Sequence, residues 1–196
     1  MTLDAQQLKA GDQSGGPRVA PRHARLRALY EKRPREALTR KHARTSAATV
    51  PASDPFHGEV EVGEGYGTRL RFGLDRGIGG LSDLPNPGDL LCAALAACAD
   101  GGIRMIADLL GIALEELEVS VTGEVDLRGT LAIDPEVRVG FEWLRCEVRI
   151  RPTTGADPRL VRKLVTAAER HCVNLDTLSD GVKVEVRSQV QALGDS

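Results

Sequence analysis

Four cysteines, Cys92, Cys98, Cys146 and Cys172, are the residues of this chain best suited to chemistry. None stands in a CxxC or CxxH pair, so structural zinc is not indicated, and thiols so few and so widely spaced do not build a disulfide scaffold. They are packing groups or reactive thiols. A thiolate is a nucleophile, and two thiols held together can pass from dithiol to disulfide. Other signals are weaker. His23, His42, His57 and His171 lack metal-ligand spacing, although His171 adjoins Cys172. Ser82 is not in a nucleophile elbow, and Gly77-Ile-Gly-Gly80 lacks the strand-turn-helix context of a dinucleotide site. No metal and no cofactor is expected.

The elements that must carry the cysteines can be read from caps and periodicity. Asn86 as N-cap, Pro87 at the first helical position, Asp89 at the third and Gly111 at the end predict a helix between them. A ladder of Leu91, Leu95, Cys98, Gly102, Met105 and Leu109, with alanines on the other sides, predicts burial on most faces. Gly101 and Gly102 each cost about 1 kcal/mol in helix propensity, which implies that another backbone or a ligand comes close there. Cys92 lies about 240° around this helix from Cys98 and faces elsewhere; Cys92 and Cys146 read as packing. A second helix starts at Asp157-Pro158, and its stripe of Leu160, Val161, Leu164, Val165 and Ala168 extends to Cys172. Cys98 and Cys172 thus both point inward from core helices.

Strands fill the remainder. Val60 and Val62, then Leu70, Phe72 and Leu74, flank Gly63, Gly65 and Gly67 as a hairpin. Alternation from Leu117 to Leu127 predicts a half-buried strand, and a run from Val137 to Ile150 changes phase as a bulge near Leu144 would require. Val182, Val184 and Val186 predict a last strand. The fold class is α+β, with antiparallel sheets around two central helices.

Length bounds the organisation to one domain plus an arm: residues 1–55 as a flexible N-terminus and basic helical arm, residues 56–196 as the domain. Residues 1–21 should be loosely attached, and Pro34 should divide residues 22–44 into two short helices before a linker at 45–55. Residues 18–44 hold ten of the 26 basic residues and two of the 28 acidic ones, so this stretch carries +8 and the rest of the chain −10. Such asymmetry fits an arm docked on its own acidic body or on a partner subunit, or an arm that binds nucleic acid or another anionic partner. The six aromatics (Phe56, Phe72, Phe141, Trp143, Tyr30, Tyr66) are too few for a base-stacking platform, so nucleic acid is the lesser expectation. Asp100, Arg104 and Asp108 interrupt the apolar stretch from Leu90 to Leu110, which argues against a membrane span. The opening residues are not a secretory leader, and a cytoplasmic location is expected.

Three segments matter together: Pro87-Gly-Asp-Leu-Leu-Cys-Ala-Ala-Leu-Ala-Ala-Cys98, Leu117 to Gly129, and Ala168-Glu-Arg-His-Cys172-Val-Asn-Leu-Asp-Thr-Leu178. In order and spacing they resemble the osmotically inducible protein C and organic hydroperoxide resistance (OsmC/Ohr) family, over residues 56–190, in one of its looser branches. The resemblance implies an intertwined homodimer with sites at the subunit interface and a thiol peroxidase acting on organic hydroperoxides. It implies Cys98 as the peroxidatic thiolate, Cys172 as the resolving thiol, and an external dithiol as reductant. It also implies an arginine preceding the first helix as activating cation; Arg76 is best placed, with Arg71 and Arg69 behind it. Gly88 stands where many members have glutamate, leaving Asp89 as the nearest carboxylate, and Val173 stands where proline is common. The alternatives are an OsmC-like protein that binds a small apolar or thiol ligand without peroxidase activity, and a protein tethered to an anionic partner by its basic arm.

Overall fold

The computed structural model describes residues 19–189. The expectation of a loosely attached terminus falls mainly on residues 1–18, which lie outside the described residues. Helix α1 (Ala20–Lys32) is followed by a 3-10 turn at Pro34–Ala37, the division predicted from a proline that cannot continue a helix hydrogen-bond ladder. Strands β1 (Ala43–Thr45), β2 (His57–Val62) and β3 (Arg69–Gly73) form an antiparallel sheet in that order. The linker therefore starts later than expected: Thr45 pairs with Val60, and a three-residue edge strand is too short to show alternation. The predicted hairpin is present, and Gly63, Gly65 and Gly67 between its strands all take positive φ.

Helix α2 (Pro87–Leu110) has the predicted ends. The Asn86 side chain accepts the Gly88 and Asp89 N–H groups at 2.8 and 3.1 Å, and the Asp89 carboxylate accepts the Asn86 N–H at 2.8 Å, a reciprocal capping box. Gly111, at φ 67°, ends it. Strand β4 (Leu114–Val125) pairs antiparallel with β5 (Phe141–Pro152), separated by a short helix, α3 (Leu127–Thr130). Leu127 leaves the strand because Asp126 caps α3 through the Arg128 N–H. β5 begins at Phe141 rather than Val137, and the unpaired residue is Glu142, between Trp143 opposite Glu124 and Phe141 opposite Val125, two positions before the Leu144 expected. Helix α4 (Pro158–Arg170) is capped by Asp157, and α5 (Val173–Asp180) follows at once. The strand expected at Val182–Val186 does not form in the single chain: residues 181–189 have no regular structure, and Val182, Val184 and Val186 are 68, 77 and 87% exposed.

One face of β4–β5 and helix α4 close on α2. The centre is Ile103, Ile106 and Ala107 of α2, Ile112, and Leu164 and Ala168 of α4. Burying a side chain such as Leu164, which has no exposed surface, contributes about 2–3 kcal/mol. α2 is not, however, buried on most faces. Leu91, Ala94, Ala97 and Gly101 are exposed, and a Cβ built on Gly101 or Gly102 would meet nothing within 4 Å. By length and composition α2 could cross a membrane, and only 22% of its most apolar window is buried in this chain; its capped start and its packing on β4, α4 and α5 are those of a core helix. The three-stranded sheet makes little contact with the helices, although Leu70 and Val62 on it are more than two-fifths exposed.

The basic arm is fastened by backbone more than by charge. The Val19 N–H donates to the Asp108 carboxylate at 2.7 Å, and β1 joins the sheet. Among the described residues Arg44 pairs with Glu61, while Arg33 pairs within the arm, with Glu36. Leu26, Leu29 and Tyr30 are half-buried and no residue of α1 is fully buried, so the expected docking on the acidic body is slight.

Candidate functional site

Cys98 lies in the middle of α2, and Cys172 is the N-cap of α5, directly after α4 ends at Arg170. The i, i+4 stripe of α4 does carry Cys172 inward, to 3% exposure, while Cys98 is half-buried. The two thiols are neighbours, close enough for the Cys98 sulfur to act on Cys172. Burial pushes the Cys172 thiol above its ordinary value; the backbone N–H groups of Leu175 and Asn174 at the start of α5 pull against this, and the Cys98 sulfur adds to it. Cys172 is thus held as a neutral thiol beside a more accessible one.

The remaining expected site residues that have hydrogen-bond or ion-pair partners find them away from the cysteine pair. Arg76 opens a 3-10 turn (Arg76–Ile78); its N–H donates to the Ser82 hydroxyl at 2.7 Å and its guanidinium to the Leu81 carbonyl at 3.3 Å. Ser82 therefore builds the turn that presents Arg76. Arg69, the more distant candidate, is paired with Glu59. The Asp89 carboxylate is occupied by the cap of α2 and raises the Cys92 thiol, which burial raises more. Gly88 has a packing reason: a Cβ there would come within 3.0 Å of the Asn86 cap oxygen and 3.3 Å of the Phe141 ring, so a glutamate would require both to give by a few tenths of an ångström. Val173 occupies the first position of α5, where a proline would fit equally well, so that departure leaves the turn at Cys172 intact.

Three features escaped the sequence reading: a bond from Asn174, helix α5 and a cavity behind Cys172. Asn174 Nδ2 donates to the Ala94 carbonyl of α2 at 2.7 Å, tying α5 to the helix that carries Cys98. The α5 helix itself was not legible, being only eight residues without a side-chain cap. Behind Cys172 lies a cavity of about 250 Å³ walled mainly by aliphatic side chains such as Leu95, Ile103 and Val165, with Cys146 and Glu169 also on its wall. Cys146, expected as packing, is thus part of that wall; partial burial, and then the Glu169 charge, raise its thiol. Among the described residues no three His, Cys, Asp or Glu side chains converge as metal ligands.

A family model for OsmC-like proteins matches residues 80–187, which include α2, both cysteines of the pair and Asn174. The chain belongs to the OsmC-like protein family. Solved OsmC-like structures share its fold. An organic hydroperoxide resistance protein OsmC from Legionella pneumophila is 25% identical, with a TM-score of 0.53, over 76% of this chain and 96% of that one. An OsmC-like protein of unknown function from Vibrio cholerae is 13% identical, with a TM-score of 0.55, over 72 and 95%. One from Mycoplasma pneumoniae is also 13% identical, with a TM-score of 0.54, over 71 and 87%. No curated protein matches the sequence. The α+β architecture with antiparallel sheets is thus that of OsmC-like proteins.

Proposed function

We propose that this OsmC-like protein is a thiol peroxidase that reduces organic hydroperoxides to alcohols in a reducing compartment such as the cytoplasm. The observation that carries this reading is the pairing of a half-buried Cys98 with a buried, neutral Cys172 across the α2–α5 contact. The Cys98 thiolate attacks the distal oxygen of ROOH; the O–O bond breaks, the alkoxide leaves and takes a proton to become ROH, and Cys98 becomes a sulfenic acid. Cys172 then attacks that sulfur, a disulfide forms and water leaves. An external dithiol reduces the disulfide and becomes oxidised itself. The alanines and leucines around Cys98 favour apolar hydroperoxides, since apolar contact is worth about 25 cal/mol per Å².

The site is completed, in this proposal, by a second copy. Supporting this are the exposed small-residue stripe of α2 beside Cys98 and, among the described residues, the three-stranded sheet whose apolar side chains lack a cover and the alternating valines at 182–186 without a strand partner. In this proposal Arg76 supplies the activating cation, which requires its guanidinium to leave the Leu81 carbonyl of its own loop. Asp89 acts only through the position of α2.

Mass spectrometry of the reduced protein after one equivalent of cumene hydroperoxide tests the reading. A loss of two hydrogens mapping to a Cys98–Cys172 disulfide is expected; both thiols remaining free would overturn it. The cavity behind Cys172 favours a second reading, binding of a small apolar ligand without turnover, which the same untouched thiols would support.

A further inference from the structure

The condensation of a sulfenic acid with a second thiol competes with attack of the sulfenate sulfur on another hydroperoxide, which breaks the O–O bond and gives a sulfinic acid and a second ROH. What decides the outcome is how constantly Cys172 faces Cys98. Cys172 sits between two helices with no covalent tie to α2, at the start of a short α5 in which no residue is fully buried. Such a segment opens readily, having few buried contacts.

Asn174 opposes that opening. Its side chain crosses from the second position of α5 to the Ala94 carbonyl, at 2.7 Å. In an α-helix that carbonyl also accepts the N–H four residues on, which is the N–H of Cys98 itself. The bond therefore fastens the turn bearing Cys172 to the peptide group whose helical partner is Cys98. Other carboxamide or hydroxyl side chains that could do this are missing from the start of α5: Val173 and Leu175 are aliphatic, and Asp176 cannot donate.

We infer that Asn174 is a positioning residue for the resolving step, holding Cys172 against Cys98 so that disulfide formation outruns over-oxidation. This rests on the peroxidase reading. The bond does not touch the hydroperoxide, so its loss slows condensation without slowing the first attack. A hydrogen bond of this kind is worth about 1 kcal/mol, or roughly a five-fold change in how often the productive arrangement is populated.

The test measures two quantities in wild type, Asn174→Ala and the isosteric Asn174→Asp: the rate of the first Cys98 oxidation, and the hydroperoxide concentration at which half of Cys98 becomes sulfinic acid in repeated turnover. Both variants should keep the first rate and show half-inactivation at a concentration about five-fold lower. Asn174→Ala controls for the charge that Asp adds near Cys172, and Asn174→Asp, with an acid in the first turn of α5, controls for loss of helix stability. Wild-type tolerance of hydroperoxide in both variants would overturn the inference. A wild-type protein whose Cys98 never oxidises would instead overturn the peroxidase reading.

Discussion

Replacing Gly101 or Gly102 by alanine separates an isolated α2 from one that lies against a second copy. In the single chain a Cβ at either position meets nothing within 4 Å, and both residues lie in the middle of a 24-residue helix with ordinary helical geometry. An α2 that faced only solvent would gain about 0.8–1.0 kcal/mol per substitution from helix propensity. For a chain of this size that is a rise of roughly 2–4 °C in Tm for each, and about twice that for the pair if the effects add. The proposed dimer predicts the opposite: the glycines admit a close approach, so an added methyl forces the helices apart and lowers Tm by an amount that outweighs the propensity gain, overpacking costing about 1–3 kcal/mol. The assay is thermal unfolding at several protein concentrations, with sedimentation to give the mass. Expected are a lower Tm for G101A and G102A, a Tm of the wild type that rises with concentration, and partial dissociation of the double variant. A monomeric wild type, or variants that gain the 2–4 °C each with their mass unchanged, would refute the reasoning and leave the open face of α2 unexplained.

Arg76→Ala should slow hydroperoxide reduction on the order of a hundredfold, as loss of an electrostatic stabiliser does, while moving Tm little, because its guanidinium makes one bond, to an exposed loop carbonyl; unchanged turnover would exclude it as the activating cation. Deleting residues 1–50 should lower Tm while leaving disulfide formation intact, since it removes β1, the Val19–Asp108 bond and the buried Val50; calorimetry showing the same Tm would mean the arm is only a tether. His57 is gripped by Asp54 at 3.1 Å and Asp83 at 3.1 Å, and these hydrogen bonds raise its pKa. A raised pKa adds stability that is fully present below about 6.5 and is lost as pH rises through the folded value, so His57→Asn should flatten the pH dependence of Tm in that window, with NMR titration of the imidazole as the check.

The parts of the fold that sequence made legible are those with local physical causes. Asn86-Pro87-Gly-Asp89 and Gly111 bracket α2 because caps act within one turn, and Asp157-Pro158 begins α4 for the same reason. Alternation found β4 because one of its faces is half-buried against the core of the same chain. Where the reasoning failed, the cause lies outside the segment. Val182, Val184 and Val186 alternate as a strand does, but an alternating segment becomes a strand only when another edge completes its hydrogen bonds, and among the described residues none does. The glycine pair and the apolar sides of α2 carry the same message: pattern reports what a surface must meet, without saying which copy of the chain supplies it. The cysteine pair was accessible because both residues lie on stripes with helical period. Asn174 was not, since a single carboxamide two residues from a cysteine has no periodic signature and acquires meaning only once α5 is seen against Ala94.

Burial also orders the proposed chemistry. With Cys172 at 3% exposure and its thiol pushed up, the first attack on a hydroperoxide falls to the half-buried Cys98, and an exchange of roles would require α5 to leave α2 before any oxidation occurs. Once Cys98 is a sulfenic acid the same burial becomes an advantage: the nearest nucleophile is Cys172, a few atoms away, whereas a further hydroperoxide must come from solvent. A neutral thiol is a slow nucleophile, so proximity must compensate for ionisation. The Asn174 bond and the N–H groups at the start of α5 bear on those two quantities, the first on proximity and the second on thiolate character. A Cys172→Ser variant removes the nucleophile and leaves the geometry; under repeated hydroperoxide its Cys98 should pass to sulfinic acid within a few turnovers, and a Cys98 that still cycled by disulfide would have to be using Cys146 or an external thiol.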